Sequence, residues 1–431
     1  MNAPILFVGA AETVITPAVG TGMVGSLVPR PSKGVDDPLL AKAIVLEGGG
    51  ERLAVVVLDL ATLPRCTGDA CVRLAAQRTG IPEDRIVWAA THTHTGPIAE
   101  AEVYLEGATA ADLQWRQGLP EQFAQAVVQA DRAKQPARLS HCRGYCEGVA
   151  ASRRLRYKDG HDRNSWMLPR GEVGTQSLGY ASLSDPEVNV LCFDDVQGTP
   201  LAVLWHFSCH TNANFGSRFS ADYPAVTAAR LRERYGAKVV SIFVPGASGD
   251  VNPLVRWREL GNRLADEIIG LLDKRQVSDG PVAIRAVKQE VVVPARAFRP
   301  DEEARRRTSG WSEELQKWFA ASEAFLRQRG QTDIATLVQA WRIGEVAFAS
   351  VPGELFVEWG LAMKSASPFP WTCPVELGGD YIGYLVTEAA EQGGGYEPLH
   401  SWVSQTGVEG TRKLVEAAQG LLQQLWQRDR G

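Results

Sequence analysis

The 431-residue sequence lacks any apolar run of about 18 residues, the length that a membrane-spanning helix requires. It also lacks an excess of basic residues, because 45 Lys and Arg stand against 50 Asp and Glu and the net charge is −5. A mildly acidic chain is a poor partner for nucleic acid. Its first residues do not show a basic region followed by a long apolar core, so we expect no signal peptide. We therefore expect neither a membrane span nor nucleic-acid binding.

Cysteine is scarce, and its distribution argues against a disulfide framework. The seven cysteines are odd in number and scattered along the chain. This pattern is typical of reduced thiols, so we expect a cytoplasmic protein. Cys142 and Cys146 have a spacing that could serve a metal, but no second Cys or His pair follows nearby, and neighbours on a strand are the simpler interpretation.

What the sequence does contain is the pattern of an α/β protein. Runs rich in Val, Ile and Leu alternate with longer amphipathic segments. The polar residues 158–179 read as a long surface loop or lid. The predicted strands span residues 53–60, 85–90, 188–193, 201–209, 238–244, 282–293 and 343–351. The predicted helices span residues 68–78, 121–134, 225–235, 258–274, 312–329, 354–363 and 410–427.

The sequence ATHTHTGP at residues 90–97 directly follows a predicted buried strand. Residues i and i+2 of a strand face the same side, so we expect His92 and His94 to converge on one point. Two imidazoles there suit a metal site or metal-free acid–base catalysis, and a pair of structural histidines is the alternative. The histidines without such a setting are His141, His161, His206 and His400.

Three more predicted strand ends carry polar residues in apolar surroundings. His210 favours a metal site over a capping role, because catalytic zinc sites gather ligands from separate elements. Asp250, in the turn at residues 244–253, either bonds local amides or belongs to a loop that cradles an anion. Glu354 is predicted to begin a helix, where a carboxylate is either an N-terminal cap or a metal ligand.

Together, these motifs resemble the catalytic domain of the neutral and alkaline ceramidases. The resemblance implies mixed β-sheets with covering helices in a single compact body. It also implies one catalytic domain over residues 1–431, without the C-terminal immunoglobulin-like domain of the secreted enzymes. The motifs, in the order of that family, are ATHTHTGP, the strand-ending His210, GDVNP, RIGEVAFASVPGELF, DYIGY and GGGYE.

The ceramidases bind one zinc ion through two histidines, a glutamate and a tyrosine. The second histidine of their HxH motif faces the substrate, which implies that role for His94. A family arginine matches Arg153, with Arg154 as the neighbouring alternative. Tyr396 lies twelve residues after Tyr384, the spacing of the two family tyrosines. The implied ligands of one zinc ion per chain are His92, His210, Glu354 and Tyr384.

The implied activity is hydrolysis of an amide (N-acyl) bond in a lipid or small-molecule substrate. A zinc ion lowers the pKa of bound water towards ~7, and His94, Arg153 and Tyr396 would stabilise the oxyanion or pass a proton to the leaving amine. Tyr384 has the alternative role of a hydrogen-bond donor to the oxyanion. The serine of the family's GDxSP pattern is Asn252 here, which excludes a serine nucleophile at that position.

Other functions remain open because nothing in the sequence demonstrates the deep apolar channel that ceramide requires. One is a zinc enzyme of the same fold that acts on a small polar substrate as a hydrolase, lyase or isomerase, for which we expect a short polar cavity. Another is a ligand-binding protein without catalysis. A third is a metal-dependent amidohydrolase barrel, although the glutamate of VPGELF fits it poorly. The sequence makes no prediction of the oligomeric state.

Overall fold

The computed structural model describes residues 6–25, 30–99, 108–167, 176–277, 280–302, 311–330 and 332–427. The strands are β1 (Leu6–Val14), β2 (Gly22–Met23), β3 (Arg30–Pro31), β4 (Leu40–Gly48), β5 (Glu51–Leu58), β6 (Ile86–Ala90), β7 (Gln135–Tyr145), β8 (Ala150–Ser152), β9 (Arg154–Tyr157), β10 (Asp162–Asn164), β11 (Ser177–Tyr180), β12 (Glu187–Asp195), β13 (Pro200–Phe207), β14 (Val240–Pro245), β15 (Val251–Pro253), β16 (Ile284–Val293), β17 (Ile334–Ile343), β18 (Val346–Ser350), β19 (Glu354–Leu355), β20 (Trp371–Val375) and β21 (Tyr384–Leu385). The helices are α1 (Arg65–Thr79), α2 (Ala110–Arg132), α3 (Tyr223–Tyr235), α4 (Trp257–Leu272), α5 (Glu313–Arg329), α6 (Val357–Ala366), α7 (Glu388–Gly393) and α8 (Val408–Gln427).

Two mixed sheets form the centre of the fold. The larger has eight strands in the order β14-β13-β12-β7-β1-β4-β5-β6, and the smaller has four in the order β16-β17-β18-β20. Most neighbours are antiparallel, but β13 and β14, β5 and β6, and β18 and β20 run parallel. The predicted class, α/β with mixed sheets and covering helices in one compact body, is confirmed. The described strands form open sheets, so the amidohydrolase barrel is excluded.

The strands of the larger sheet are apolar on both faces because both faces are covered. In β5, Val55 and Val57 pack against the smaller sheet, where they meet Trp341. Val56, on the opposite face, packs with Phe123 of α2. On the far side of the smaller sheet, α8 adds a further apolar layer. The order of layers is therefore helix, sheet, sheet, helix, and alternate residues of each central strand serve different layers.

Most predicted elements shift by a few residues in the structure, and two differ more markedly. The helix predicted at 121–134 begins at Ala110, where Thr109 and Asp112 form a capping box, and it contains Pro120. A proline inside a helix removes one hydrogen bond, so its presence there is a poor sequence signal for a continuous helix. The strand predicted at 343–351 is instead a hairpin, because Gly344 adopts a positive φ of 62° between β17 and β18.

The prediction that residues 158–179 form one long loop is wrong for much of that segment. Strands β9, β10 and β11 pair into a three-stranded sheet, and Ser165–Met167 form a 3-10 turn. Residues 168–175, in the middle of the predicted lid, lie outside the described residues. None of the described helices is both long enough and apolar enough to cross a membrane.

Candidate active site

His92 and His94 converge as predicted, but the alternation of side chains along a strand is not the cause. Strand β6 ends at Ala90, so both histidines lie in the loop beyond it, and the prediction that they share one face of a strand is wrong. His92 instead adopts a left-handed backbone conformation with φ 66°, which is uncommon for a residue other than glycine. Its amide donates to the Leu60 carbonyl over 2.8 Å, which fixes the turn. The two imidazole centres lie 4.8 Å apart.

Three imidazoles point their Nε2 atoms at one another. The Nδ1 atom of His92 lies 2.8 Å from the Ala61 carbonyl oxygen, and Nδ1 of His210 lies 3.0 Å from that of Ser248. His94 makes the same contact with the Gly25 carbonyl over 3.0 Å. Since a carbonyl only accepts, each Nδ1 is assigned the proton, and each Nε2 carries a free lone pair. The Nε2 atoms of His92 and His210 are 2.9 Å apart, and those of His92 and His94 are 3.3 Å apart.

Glu354 adds a carboxylate to this cluster. It lies in β19 and pairs with Tyr384 of β21, so the prediction that it begins a helix is wrong, and α6 starts three residues later. Its Oε2 lies 3.3 Å from Nε2 of His92 and 3.6 Å from Nε2 of His210. Oε1 accepts a hydrogen bond of 2.8 Å from the Tyr381 hydroxyl. Oε2 is buried, and while His92 is neutral the described residues offer it no hydrogen-bond donor.

The donor set fits a divalent cation. Two lone pairs 2.9 Å apart repel each other, and a buried carboxylate oxygen without a donor is unfavourable, unless a positive charge lies between them. Zinc bound tetrahedrally at about 2.0–2.1 Å would separate its ligand atoms by roughly 3.3 Å. The Nε2 atoms of His92 and His210 are 2.9 Å apart, and they lie 3.3 and 3.6 Å from Oε2 of Glu354. His92, His94 and His210 also form a group whose ligand atoms all lie within 4.8 Å of one another.

The electrostatics of the buried site keep His94 and His210 neutral and Glu354 ionised, whereas His92 tends to hold a proton that a metal ion would displace. Burial lowers the pKa of His94 to about 3 and that of His210 well below its usual value, so both are neutral at pH 7. Burial alone would raise the pKa of Glu354, but His92 and Arg153 outweigh it and hold the pKa below its usual value. Burial would lower the pKa of His92, yet the Glu354 carboxylate raises it more.

Arg153 is held beside the histidines by a buried carboxylate. Its Nε donates to Glu397 over 2.8 Å, and its Nη1 lies 3.3 Å from Nε2 of His210. Its Nη2 is buried and has no partner among the described residues. Arg154, the alternative from the sequence, turns away, because its Nη2 donates to Asp162 over 3.0 Å and to the Gly394 carbonyl over 2.6 Å. The geometry therefore places Arg153, and not Arg154, at the cluster.

The two tyrosines lie on the same side as Arg153. The rings of Tyr384 and Tyr396 are 5.7 Å apart, and the Arg153 guanidinium carbon lies 5.1 Å from the centre of the Tyr384 ring. Burial raises the pKa of both phenols above the usual value, so both stay protonated at neutral pH in the absence of a cation. Trp166, half of which is exposed, packs edge-on against Tyr396 with ring centres 5.6 Å apart.

Comparison with solved structures agrees with this architecture. The crystal structure of neutral ceramidase from Pseudomonas aeruginosa superposes with a TM-score of 0.72 at 17% identity, over 99% of this chain and 75% of that chain. A ceramidase complexed with C2 gives the same TM-score and identity, over 99% of this chain and 76% of that one. This chain has the fold of a neutral ceramidase.

Comparison by sequence gives a partial match to the same kind of protein. The neutral ceramidase of Pseudomonas aeruginosa is 26% identical over 208 residues, which cover 46% of this chain and only 29% of the length of that protein. No family model matches the chain. The resemblance to the neutral ceramidases is therefore confirmed at the level of a neutral ceramidase-like domain.

Three residues of this site could not be predicted from the sequence. Glu397 orients Arg153, and Tyr381 donates to Glu354. Glu376 accepts from the amides of Ser248 and Leu355 over 3.0 and 3.1 Å, and burial raises its pKa to about 7. Glu397 and Tyr381 stand inside the GGGYE and DYIGY motifs, so a polar side chain within a run of small and apolar residues was the available signal.

The GDVNP turn has a long-range role in the ceramidase-like fold. Asp250 was expected to bond local amides or to belong to an anion-binding loop, but its Oδ1 accepts from the distant Val357 amide at the start of α6 over 2.9 Å. Its carbonyl oxygen also accepts from the Arg153 amide over 2.8 Å. Asn252, which replaces the family serine, accepts at Oδ1 from Nδ2 of Asn212 over 3.2 Å. The turn therefore connects the arginine, the glutamate strand and the His210 loop.

Proposed function

We propose that this protein is a zinc-dependent hydrolase that cleaves an amide (N-acyl) bond in a lipid or small-molecule substrate. The observation that carries the proposal is the convergence of the His92 and His210 Nε2 atoms on a carboxylate oxygen of Glu354 that no described donor satisfies. The likeness to the neutral ceramidase of Pseudomonas aeruginosa supports amide hydrolysis as the class of reaction.

The proposed ligands of the ion are those implied by the resemblance. His92, His210 and Glu354 supply two neutral nitrogens and one negative oxygen, and Tyr384 enters from the strand paired with Glu354. When bound there, zinc lowers the pKa of water towards ~7 and polarises the carbonyl of the scissile amide. The carbonyl oxygens of Ala61 and Ser248 orient the two imidazoles from behind, which is the usual support of metal-bound histidines.

We assign proton transfer during the reaction to His94. Its Nδ1 is committed to the Gly25 carbonyl, and its Nε2 carries a lone pair 3.3 Å from Nε2 of His92. In this role Nε2 accepts the proton that the attacking water loses and delivers it to the leaving nitrogen. Burial and the neighbouring His92 lower the pKa of His94 to about 3, so the ring is neutral at pH 7 and its Nε2 lone pair is free.

Arg153 and Tyr396 are assigned to the oxygen that becomes negative during attack. The unpartnered Nη2 of Arg153 has N–H groups to donate, and the phenol of Tyr396 stays protonated. Hydrogen-bond donors that are already in position in a buried site stabilise the developing negative charge, and each such donor raises kcat by about 10²–10³. Glu397 holds the guanidinium in place, so little reorganisation is needed as the charge develops.

A second candidate is a zinc enzyme of the same fold that acts on a small polar substrate. The observation that favours it is a cavity of about 470 Å³ next to the His210 loop, in which apolar residues such as Phe215 and Leu254 stand beside the polar side chains of Asn212, Asn252, Arg256 and Glu259. Those side chains suit a compact substrate that forms hydrogen bonds better than they suit two long alkyl chains.

One assay separates the two candidates. Zinc-loaded protein is incubated with N-acyl amides of graded acyl length, beside short polar amides and esters. Turnover that rises with acyl length supports the lipid amide, and fastest turnover of the short polar compounds supports the second candidate. A protein with one zinc ion per chain that turns over none of these amides contradicts the proposed function. The His94→Gln variant, which loses the proposed proton acceptor, is the matched control for non-enzymatic hydrolysis.

A further inference from the structure

We propose that Asn212 and Asn252 form a subsite that binds a hydroxyl group of the substrate near the scissile bond and thereby sets substrate selectivity. The inference rests on the proposed function. The subsite is the cavity of about 470 Å³ whose lining includes Asn212, Phe215, Asn252, Leu254, Arg256 and Glu259. We call it the Asn212–Asn252 cavity.

The cavity adjoins the loop that carries His210. Asn212 follows His210 by two residues, and the His210 amide donates over 3.0 Å to Val251, the residue before Asn252. Phe215, which also lines the cavity, places its ring 6.0 Å from the His94 ring in an edge-on arrangement. The proposal therefore places a substituent of a substrate bound at the histidines in this adjoining cavity.

The amide pair leaves one acceptor and one donor unsatisfied. Nδ2 of Asn212 donates to Oδ1 of Asn252 over 3.2 Å. Only 6% of Asn212 is exposed, and its Oδ1 is buried without a hydrogen-bond partner among the described residues. Nδ2 of Asn252 likewise has no acceptor within the described part of the chain. If both amides are assigned the other way round, the pair still presents one donor and one acceptor.

A hydroxyl group matches this pair better than an alkyl group does. A hydroxyl donates one hydrogen bond and accepts others, so it can satisfy both asparagines at once. An alkyl chain in the same place would exclude water and leave both amide groups unpaired, which is unfavourable. The subsite therefore discriminates by rejecting substrates that lack the hydroxyl as much as by attracting those that carry it.

This assignment also gives a role to Asn252, which the sequence left without one. The residue stands where the ceramidase pattern has serine, and its amide reaches Asn212 across the cavity wall. Its place is beside the histidines, and no bond-making step is required of it.

The test compares two substrates that differ only in hydroxyl groups. N-hexanoyl-serinol carries two hydroxyls on the amine part, and N-hexanoyl-isopropylamine is its counterpart without them. The measured quantity is the ratio of kcat/KM for the two compounds with zinc-loaded protein. We expect Asn212→Ala and Asn252→Ala each to lower this ratio about tenfold, the effect of losing a hydrogen bond in a buried site. The shape-conserving Asn252→Asp, which removes the N–H donor, should lower it similarly.

The matched control is Asn262→Ala, which removes an asparagine that bonds Arg230 on α3, outside the cavity lining. It should keep the wild-type ratio. An unchanged ratio in the folded, zinc-containing Asn212 and Asn252 variants overturns the subsite. If the wild type cleaves neither compound, the proposed function fails separately, and calorimetry then compares binding of the same two compounds. A preference for the serinol amide that disappears in the variants supports the subsite, and a preference that persists or never existed overturns it.

Discussion

Glu354 and Tyr384 are paired residues of two short parallel strands, so a carboxylate and a phenol enter the site from one small sheet. The next residues, Leu355 and Leu385, continue the pairing. The Leu355 amide also donates to the buried carboxylate of Glu376, which fixes the strand from its other side. The relative position of two proposed zinc ligands is thus set by backbone hydrogen bonds and not by flexible side chains.

Loss of a histidine ligand should remove the metal. We expect about one zinc ion per chain in the purified wild type and less than about a tenth of that in His92→Ala and His210→Ala, because each ligand supplies a large share of the affinity. Inductively coupled plasma mass spectrometry measures the content. His161→Ala, which changes an exposed histidine outside the cluster, should retain the wild-type amount. Full zinc in both ligand variants would disprove the ligand assignment.

His94 should be needed for turnover more than for metal retention. His94→Gln keeps a polar group of similar reach, so we expect most of the zinc to remain while kcat falls by about 10²–10⁴ through loss of the proton acceptor. We also expect Asn252→Ala to retain more activity than His94→Ala. Parallel measurement of zinc content and kcat decides the matter. If His94→Gln lost zinc as completely as His92→Ala, His94 would be a ligand.

Replacing Arg153 by lysine should impair the rate of the chemical step. Lysine keeps the charge but cannot bond Glu397 and present a second nitrogen to the substrate at once. We expect kcat to fall by about 10²–10³ with a smaller change in KM, as for the loss of one oxyanion donor. Steady-state kinetics on the best substrate measure both constants. A change in KM alone would show that Arg153 binds the ground state and the transition state equally.

Glu397 should act through the arginine that it holds. Glu397→Gln removes the negative charge that accepts from both Arg153 and Arg154, so the guanidinium of Arg153 loses its fixed orientation. We expect kcat to fall by about 10–100-fold while zinc content stays at one per chain. Glu391→Gln, which changes a less buried carboxylate paired with Arg296, is the control. Equal effects of the two substitutions would argue for a general loss of stability.

Zinc affinity should depend on pH through His92. Burial alone would lower the pKa of this histidine, but the Glu354 carboxylate raises it by more than burial lowers it. In the metal-free site the pKa of His92 therefore lies above its ordinary value of 6.5. A metal ion must displace that proton, so once the pH drops below the raised pKa the affinity should fall more steeply, by about a further tenfold per pH unit, than it does above that pKa. Competition with a chelator across this range gives the profile. In Glu354→Gln the point of decline should move to lower pH, and an unmoved point would contradict the coupling.

The layers of the fold could be predicted from the sequence because burial on both faces leaves a local signal. The run LAVVVL at residues 53–58 is apolar on both faces of the strand, and the structure places its alternate residues in two different layers. The same reasoning failed at Glu354, because a single carboxylate after a buried strand looks like a helix cap. Its actual partner, Tyr384, lies in a two-residue strand that carries no periodic pattern.

The residue types of the site could be predicted from the sequence, but the hydrogen-bond partners of those residues could not. The HxH motif pointed to convergence, yet the cause is the positive φ of His92 and not strand alternation. The choice between Arg153 and Arg154 depends on Asp162 and the distant Gly394 carbonyl, which hold Arg154 away from the histidines, whereas Glu397 accepts from both arginines. Long-range hydrogen bonds between buried polar groups are decided by the packed fold, so the sequence names their members without naming the pairs.

The residues of the proposed centre come from widely separated points of the chain: His92 and His210 follow β6 and β13 of the larger sheet, and Glu354 lies in β19. No short fragment contains them, so the unfolded chain offers no preformed binding site for the ion. Tight binding should therefore appear only after the strand that carries Glu354 has docked, late in the assembly of the molecule. Once bound, the ion closes two long loops of chain and reduces the conformational freedom of any partly opened form. Metal occupancy would then report on complete folding, and chelation should make the native chain easier to digest with proteases.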